Sequence, residues 1–250
     1  MKSNRPIAFV TGASVGIGES IAVKLAELGY NLILSSLPGD SLKTTEDIVS
    51  KQGADFKSIY FNLDNIQSIR EAFTQAKNEF GTISVLVNNA AAPLHKPALE
   101  VTEDDWNLIS NVNLKGTFFM CQEMGKHLKN KNIPGSIINI SSTHGLVALN
   151  DRSTYGIAKA GVNHMTRMLA VEWVDLNIRV NAIAPATIST PSREAALAQP
   201  GKREAMVERI PMKRFGMASE VAGAVGYLVS PEANFVTGQT IVIDGGLTSV

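Results

Sequence analysis

The chain has 250 residues, 44% of them hydrophobic, with 23 basic and 23 acidic side chains and a formal net charge of zero. This size and apolar content fit one α/β domain over residues 1–250, and the balanced charge argues against a surface for nucleic acid or an anionic membrane. One cysteine, Cys121, precludes an internal disulfide, no apolar run is long enough to span a membrane, and too few residues precede the first strand for a signal segment, so a cytoplasmic protein is expected.

Short apolar runs alternate with helical patterns along the chain. The runs lie near residues 7–11, 31–35, 57–61, 83–88, 135–141, 178–184 and 240–243. Several are apolar at nearly every position, as in strands that helices cover on both faces. The pattern predicts an α/β fold, a Rossmann-like doubly wound seven-stranded parallel sheet with helices on both faces.

A glycine-rich turn follows the first of these runs. Gly12, Gly16 and Gly18 stand between the apolar residues that end at Val10 and a helical pattern that includes Ile21. Glycines in this position allow a tight turn and a close approach of the backbone to a diphosphate at the helix N-terminus. The spacing differs from the commoner GxGxxG, but its place after the first strand predicts a dinucleotide site.

A proton-transfer group is predicted later in the chain. Tyr155 and Lys159 are four residues apart on a helical pattern, and Ser142 lies at a strand end. A lysine ammonium one turn away favours the ionised phenol, and a serine hydroxyl can hydrogen-bond a substrate oxygen. The trio fits a reaction at an alcohol or a carbonyl. The alternative is a half-buried tyrosine beside a solvated lysine.

Nearly the whole chain resembles the short-chain dehydrogenases/reductases, in their single-domain branch. The matching pieces, in order, are Thr11 to Gly18, Asn62-Leu63, Asn88-Asn89-Ala90, Asn113, Ser142, Tyr155 with Lys159, Asn181 to Pro185 and Asp244-Gly245-Gly246. The resemblance implies an NAD(P)-dependent oxidoreductase that acts on CH–OH groups, with no metal and with a catalytic tetrad of Asn113, Ser142, Tyr155 and Lys159. In this scheme Tyr155 moves the hydroxyl proton, Ser142 polarises the substrate oxygen and Lys159 lowers the pKa of Tyr155. Asn113 supports a water-linked proton path, or is instead only a helix-kink residue.

The resemblance also implies a set of cofactor-binding residues, which besides Tyr155 and Lys159 are Gly12, Ser14, Val15, Gly16, Ile17, Gly18, Ser35, Ser36, Asn62, Leu63, Asn89, Ala90, Ala91, Val112, Pro185, Ile188 and Thr190. No carboxylate stands among the last residues of the second strand, and such a carboxylate would repel a 2′-phosphate. This favours NADP(H) slightly, although Asp40 and Lys43 in the following loop can each alter the preference. Ala91 and Ala186 replace glycines of the family, and they would restrict the backbone if those glycines have positive φ.

The substrate side is less defined by the sequence. A long irregular stretch near 186–203 matches the family's substrate lid, placed at about 186–210. Candidate substrate residues are His95, His144, Asn150, Arg152 and Arg193. The expected substrate is a small polar hydroxy or oxo compound, such as a sugar, polyol or hydroxy acid.

Three other functions are weighed against this one. The first is a 3-oxoacyl carrier-protein reductase, against which Leu176 counts because it replaces a docking arginine. The others are a dehydratase or epimerase and a non-catalytic dinucleotide-binding sensor; the intact tetrad disfavours both. By resemblance a homotetramer or homodimer is expected through the helices that bear residues 105–127 and 155–173, together with the C-terminal segment. Met165, Met168, Leu169 and Trp173 are candidate contacts.

Overall fold

A computed structural model describes residues 5–196 and 201–250. Its main sheet has seven parallel strands in the order β3-β2-β1-β4-β5-β6-β9. The strands are β1 (Ile7–Thr11), β2 (Asn31–Ser36), β3 (Phe56–Tyr60), β4 (Val85–Asn88), β5 (Gly135–Ile140), β6 (Ile178–Pro185) and β9 (Thr240–Ile243). The predicted sheet is therefore confirmed, with strand ends that differ from the expected ones by a residue or two at most.

Helices cover both faces of the sheet. The helices of the described residues are α1 (Ile17–Glu27), α2 (Lys43–Lys51), α3 (Ile66–Phe80), α4 (Glu103–Ser110), α5 (Thr117–Lys131), α6 (Ser153–Glu172), α7 (Pro191–Ala196), α8 (Lys202–Glu208) and α9 (Ala218–Val229). Successive side chains of a strand point to opposite faces. Phe9 accordingly packs into the core layer on one side of the sheet, while Val10 packs into the layer with Ile21 of α1 on the other side. Both strand residues are fully buried, which explains why β1 is apolar throughout.

The strand order reverses between β1 and β4, so the connections from these two strands lead away in opposite directions. Ligands of doubly wound sheets bind in the crevice outside the carboxyl ends of the strands at such a point. The glycine turn follows β1, Asn89 follows β4 and Ser142 follows β5. These residues therefore lie along one edge of the sheet.

The stretch predicted to be irregular contains regular structure, so that expectation was wrong for the residues described. It holds a short strand, β7 (Ile188–Ser189), then α7 and the start of α8; residues 197–200 lie outside the described part. Pro191 begins α7, a position where its missing N–H costs nothing. β7 pairs with β8 (Gly216–Met217), and this pairing ties the segment to the chain before α9.

No helix in the described parts of the chain is long and apolar enough to cross a membrane.

Candidate active site

The glycine turn has the backbone shape that the sequence predicted. Gly12 and Gly16 have φ values of 65° and 67°, a region that side chains disfavour. A Cβ atom on Gly18 would lie 1.9 Å from the carbonyl oxygen of Gly12, so only glycine fits there. The side-chain amide of Asn89 donates to the carbonyls of Thr11 and Gly12 at 3.0 and 2.9 Å. The end of β4 thereby holds the turn in place.

The turn leads into a helix N-terminus that suits an anion. Gly16 precedes α1 and supplies no side-chain cap, so the first N–H groups of the helix and its dipole face the crevice. A Cβ on Gly16 would lie 3.0 Å from Cγ2 of Thr190, which places the start of the lid segment beside the turn. The residues present therefore fit the diphosphate of a dinucleotide.

The end of β2 differs from expectation in two respects. Ser35 is 1% exposed and its hydroxyl donates to the carbonyl of Val10, so its predicted contact with the cofactor was wrong. Ser36, on the opposite face of the strand, donates its hydroxyl hydrogen to the Asp40 carboxylate, and its oxygen lies 3.2 Å from Ser14 Oγ. A carboxylate does reach this strand end, from the loop that follows it.

Other predicted cofactor residues line the same edge or support it. Asn62 is exposed and Leu63 buried after β3, while Ala91 is exposed after β4, and Pro185 and Ile188 are buried around the end of β6. Val112 packs against the core beneath the site. Neither Ala91 nor Ala186 has positive φ, so the expected backbone restriction does not arise.

The predicted hydroxyl pair meets after β5. Ser142 is 6% exposed, and its side chain lies beside Tyr155 on α6, where it favours a lower pKa of the phenol. Nζ of Lys159, one helical turn further on, lies 5.7 Å from the centroid of the Tyr155 ring. Ser141 points away and donates to the backbone carbonyl of Lys159 at 3.1 Å. Of the two adjacent serines, only Ser142 faces the tyrosine.

Burial has opposite effects on the two titratable groups. Lys159 is 3% exposed and Nζ donates to the carbonyl of Ile140 at 2.8 Å; desolvation lowers its pKa to about 8. Desolvation raises the pKa of Tyr155, against the hydrogen bond from Ser142 and the positive charges of Arg152 and Arg193. Burial thus outweighs the effects that lower the pKa of Tyr155, and the lowering of this pKa by Lys159 stays a prediction.

Asn113 lies in a helical irregularity. Residues Asn111–Gly116 form a π-helical turn between α4 and α5, a feature frequent at functional sites. The fully buried Asn113 amide donates to the carbonyl of Ala92 at 2.8 Å and its oxygen accepts from the Ala92 N–H at 2.7 Å. Asn113 is thus at a kink, and its side chain fixes the segment after β4.

Two of the predicted substrate residues lie beside the hydroxyl pair. Nδ1 of His144 is 3.1 Å from Ser142 Oγ, and its ring packs edge-on against Tyr155. Burial, together with the charges of three arginines, lowers the pKa of His144 to about 4, so its imidazole is neutral near pH 7. Arg152 precedes α6, one turn before Tyr155, and its Nη1 donates to the carbonyl of Leu94 at 2.8 Å.

The other substrate candidates have different positions. Arg193 is partly buried on α7, and its charge acts on Tyr155. His95 is exposed and lies 3.9 Å from the Asp151 carboxylate. Asn150 is exposed.

Sequence reasoning assigned no separate role to Thr11. Its hydroxyl accepts from the N–H groups of Asn89 and Ala90 at 3.0 and 3.1 Å and so joins the ends of β1 and β4. A threonine immediately before the first glycine of the turn is the only signal for this role in the sequence.

Residues 12–248 match a family model described as "Enoyl-(Acyl carrier protein) reductase". Glucose 1-dehydrogenase 2 of Bacillus subtilis is 37% identical, over 96% of this chain and 94% of the relative. The 2-dehydro-3-deoxy-D-gluconate 5-dehydrogenase of Escherichia coli is 36% identical with the same coverage. A 3-oxoacyl-[acyl-carrier-protein] reductase of Thermotoga maritima is 36% identical over 99% of both chains.

Solved structures agree with these matches. A provisionally assigned short-chain alcohol dehydrogenase of Sinorhizobium meliloti has a TM-score of 0.94 at 35% identity, over 99% of this chain and 97% of the other. A provisionally assigned 2-deoxy-D-gluconate 3-dehydrogenase of Agrobacterium tumefaciens, with bound NADP, has a TM-score of 0.91 at 34% identity, over 100% and 98% of the two chains. Since sequence and fold match along almost the full length, the chain belongs to the short-chain dehydrogenase/reductase family, whose members are NAD(P)-dependent oxidoreductases acting on CH–OH groups.

Proposed function

We propose that the protein interconverts a secondary alcohol and the corresponding ketone, with Tyr155 as the acid and base. The observation that carries this proposal is the position of Ser142 beside Tyr155, with the buried Lys159 one helical turn further on, at the sheet edge that also bears the glycine turn. Paired hydroxyls next to a lysine suit proton transfer to and from a substrate oxygen.

The nicotinamide dinucleotide, when bound, supplies or accepts the hydride. The turn at Gly12, Gly16 and Gly18 would hold its diphosphate, and Ser14 and Ser36 would face the adenosine ribose. The remaining contacts would come from Val15, Ile17, Asn62, Leu63, Asn89, Ala90, Ala91, Val112, Tyr155, Lys159, Pro185, Ile188 and Thr190.

Residues of the chain itself transfer the proton. In oxidation the Tyr155 phenolate accepts the hydroxyl proton of the substrate, and in reduction the phenol returns it to the carbonyl oxygen. Ser142 donates a hydrogen bond to that oxygen as its charge changes. The ammonium of Lys159 stabilises the phenolate once the site is filled and its charge is retained. Asn113 keeps the segment at Ala92 in place and supports the water-linked proton path behind the lysine.

A small polar hydroxy or oxo compound is the substrate class best supported. Two of the relatives act, by name, on glucose and on a deoxygluconate derivative. The alternative, reduction of a 3-oxoacyl carrier protein, is supported by the Thermotoga relative. Leu176 at the proposed docking position offers a carrier protein no positive charge.

A small preference for NADP(H) is proposed for the cofactor. The strand residues of β2 include no acid, and the Agrobacterium relative binds NADP. Asp40 opposes this preference, because its carboxylate reaches Ser36 and repels a 2′-phosphate. The ratio of the two affinities is therefore expected to favour NADP(H) only slightly.

Assembly as a homotetramer or homodimer in the cytoplasm is also proposed. Exposed apolar side chains on the helices concerned support it: Trp106, Leu108 and Phe118, then Ile157, Met168 and Val171. Of the four contacts expected on α6 and at its end, Met165 and Leu169 are instead buried in the core and Trp173 packs against it. Light scattering after gel filtration would measure the oligomeric state.

The test is an absorbance assay at 340 nm with both cofactors and a panel of secondary alcohols, polyols, sugars, hydroxy acids, their ketones and short 3-oxoacyl thioesters. Tyr155→Phe is expected to lower kcat by about 100-fold or more and to retain dinucleotide binding, since only the hydroxyl group that transfers the proton is lost. Tyr227→Phe, an exposed tyrosine on α9, is the matched control. Full turnover by Tyr155→Phe would overturn the mechanism; tight dinucleotide binding without turnover would favour the sensor function.

A further inference from the structure

The turn that carries Ser142 packs against the backbone of α6, the helix that carries Tyr155. This turn consists of residues 141–145, and Gly145 is the residue at its end. A Cβ atom on Gly145 would lie 2.7 Å from the backbone carbonyl carbon of Lys159. Because that carbon belongs to the helix backbone and cannot rotate away, a side chain here would push the turn off α6.

A second close contact lies one helical turn nearer to the tyrosine. Gly156 follows Tyr155 directly, and a Cβ atom on it would lie 2.9 Å from the carbonyl oxygen of His144. Neither Gly145 nor Gly156 has positive φ, so the backbone conformation does not require glycine at these positions. What both positions require is that no side chain separates the turn from the helix.

Hydrogen bonds to backbone carbonyls tie the turn to α6. Ser141 Oγ donates to the carbonyl of Lys159 at 3.1 Å, and Nζ of Lys159 donates to the carbonyl of Ile140 at 2.8 Å. At the end of the turn, Nδ2 of Asn163 donates to the carbonyl of Gly145 at 3.2 Å. Lys159 and Asn163 are four residues apart, so both bonds come from one side of the helix.

Asn163 is an unfavourable choice for packing alone. It is 4% exposed, and its Oδ1 is buried without a hydrogen-bond partner among the described residues. An unpaired buried acceptor costs stability, and an apolar side chain at this position would avoid that cost. The bond from Nδ2 to Gly145 is what the asparagine supplies in return.

The packing of the turn on α6 determines the separation of Ser142 and Tyr155, because the two residues belong to different elements. Within the turn, the N–H of Gly145 donates to the carbonyl of Ser142 at 2.9 Å, and the N–H of His144 donates to Ser142 Oγ at 3.2 Å. A displacement of Gly145 is therefore passed on to Ser142. Misplacement of a reacting group by about 1 Å can lower a rate by about 100-fold.

We propose that Gly145 and Asn163 are positioning residues, which together set the place of the Ser142 hydroxyl relative to Tyr155 and to the substrate oxygen. Asn163 itself lies eight residues beyond Tyr155, about 12 Å along the helix axis, so it acts through the turn. This inference rests on the proposed function, since it explains how the serine and the tyrosine of that mechanism are held together.

The experiment measures kcat, dinucleotide affinity and Tm for two variants, with a substrate that the wild type turns over. Gly145→Ala is expected to lower kcat by about 10- to 100-fold and to retain dinucleotide affinity. Asn163→Leu is similar in shape but lacks the donor, and it is expected to lower kcat by about three- to tenfold, the effect of one hydrogen bond. Its Tm should be unchanged or higher, because the unpaired Oδ1 is also removed. A purely structural role for Asn163 predicts a lower Tm instead.

A double-mutant cycle tests whether the two residues act through the serine. In Ser142→Ala the hydroxyl to be positioned is absent, so the addition of Gly145→Ala or Asn163→Leu should lower kcat by less than about twofold. The matched control is Gly135→Ala, at the opposite end of β5, where a Cβ atom would meet the side chain of Leu128. This control should lower Tm and leave kcat unchanged.

The outcomes separate this inference from the function beneath it. Wild-type kcat in Asn163→Leu, or the same fold loss with and without the Ser142 hydroxyl, would overturn the positioning role while leaving the Tyr155 mechanism intact. A loss of kcat in Gly135→Ala as large as that in Gly145→Ala would overturn it too, because stability alone would then explain both. If Gly145→Ala does not fold, Asn163→Leu provides the same test. Absence of turnover by the wild type with every compound of the panel would reject the proposed function and this inference with it.

Discussion

The hydroxyl oxygen of Ser142 lies 3.1 Å from Nδ1 of His144 and accepts the backbone N–H of the same histidine at 3.2 Å. The imidazole therefore fixes the direction of the hydroxyl that faces Tyr155. We expect His144→Leu to lower kcat by about tenfold, the effect of one lost hydrogen bond. His144→Asn keeps a polar atom near Nδ1 and should retain most of the activity. Equal kcat values for the two variants would show that the imidazole does not orient Ser142.

Acid stability should depend on the same histidine. The pKa of His144 is lowered from 6.5 to about 4, mainly by burial, so between these pH values the unfolded chain binds a proton that the folded chain does not. His144 therefore makes the fold less stable as pH falls from about 6.5 to about 4. The decrease in Tm over this range should be smaller in His144→Leu than in the wild type. Parallel Tm curves for the two proteins would contradict the buried neutral imidazole.

Replacement of the buried Lys159 should lower the activity without lowering the stability of the fold. Lys159→Met removes a cation from a site where it has one backbone partner, and apolar replacements of buried charges are often neutral or stabilising. We expect turnover to fall by about 100-fold or more, because Tyr155 loses its neighbouring charge, while Tm stays unchanged or rises.

The difference in stability between the wild type and Lys159→Met should depend on pH. Because burial lowers the pKa of Lys159 to about 8, the folded chain loses this proton before the unfolded chain does. The wild type should gain stability relative to Lys159→Met as pH rises from about 8 towards 10.5. A lower Tm for the variant at every pH would mean that the lysine mainly supports the fold.

Asp40 should influence the choice between the two cofactors. Its carboxylate reaches Ser36, so removal of its charge relieves repulsion of a 2′-phosphate. We expect Asp40→Asn to increase the affinity for NADPH relative to NADH by about three- to tenfold at low salt, with a smaller change at high salt. Fluorescence titration measures both affinities. Glu232→Gln, an exposed acid that follows α9, is the control and should leave the ratio unchanged.

Two glycine substitutions should have opposite effects. Gly18→Ala places a Cβ 1.9 Å from the carbonyl of Gly12, so the turn must move, and we expect a loss of about 1–3 kcal/mol in stability together with weaker dinucleotide binding. Gly223 lies exposed on α9 with nothing within 4 Å of its Cβ position. Gly223→Ala should stabilise the protein by about 0.5–1 kcal/mol. Chemical unfolding measures both, and a neutral Gly18→Ala would contradict the packing of the turn.

The periodicity of the sequence was sufficient to predict the sheet and the helices that cover it. Runs such as Val85-Leu86-Val87 are apolar at consecutive positions because a strand between two helical layers buries both faces. The prediction failed between residues 186 and 203, where β7 forms by pairing with residues nearly thirty positions later. Pairing over that distance leaves no local signal in two residues.

By itself the sequence determined which chemical groups this protein possesses. It also determined which strand of the parallel sheet each of these groups follows, and so that they lie along one edge of the sheet. Only the tertiary structure decided which neighbours each group has. Ser35 and Ser36 are adjacent in sequence, yet strand alternation buries one and directs the other to Ser14 and Asp40. Lys159 on α6 and Arg152 immediately before this helix are both cations, yet burial lowers the pKa of the lysine and leaves the arginine with an unpaired donor. Solvation and pairing are properties of the packed surroundings, and a linear pattern does not contain them.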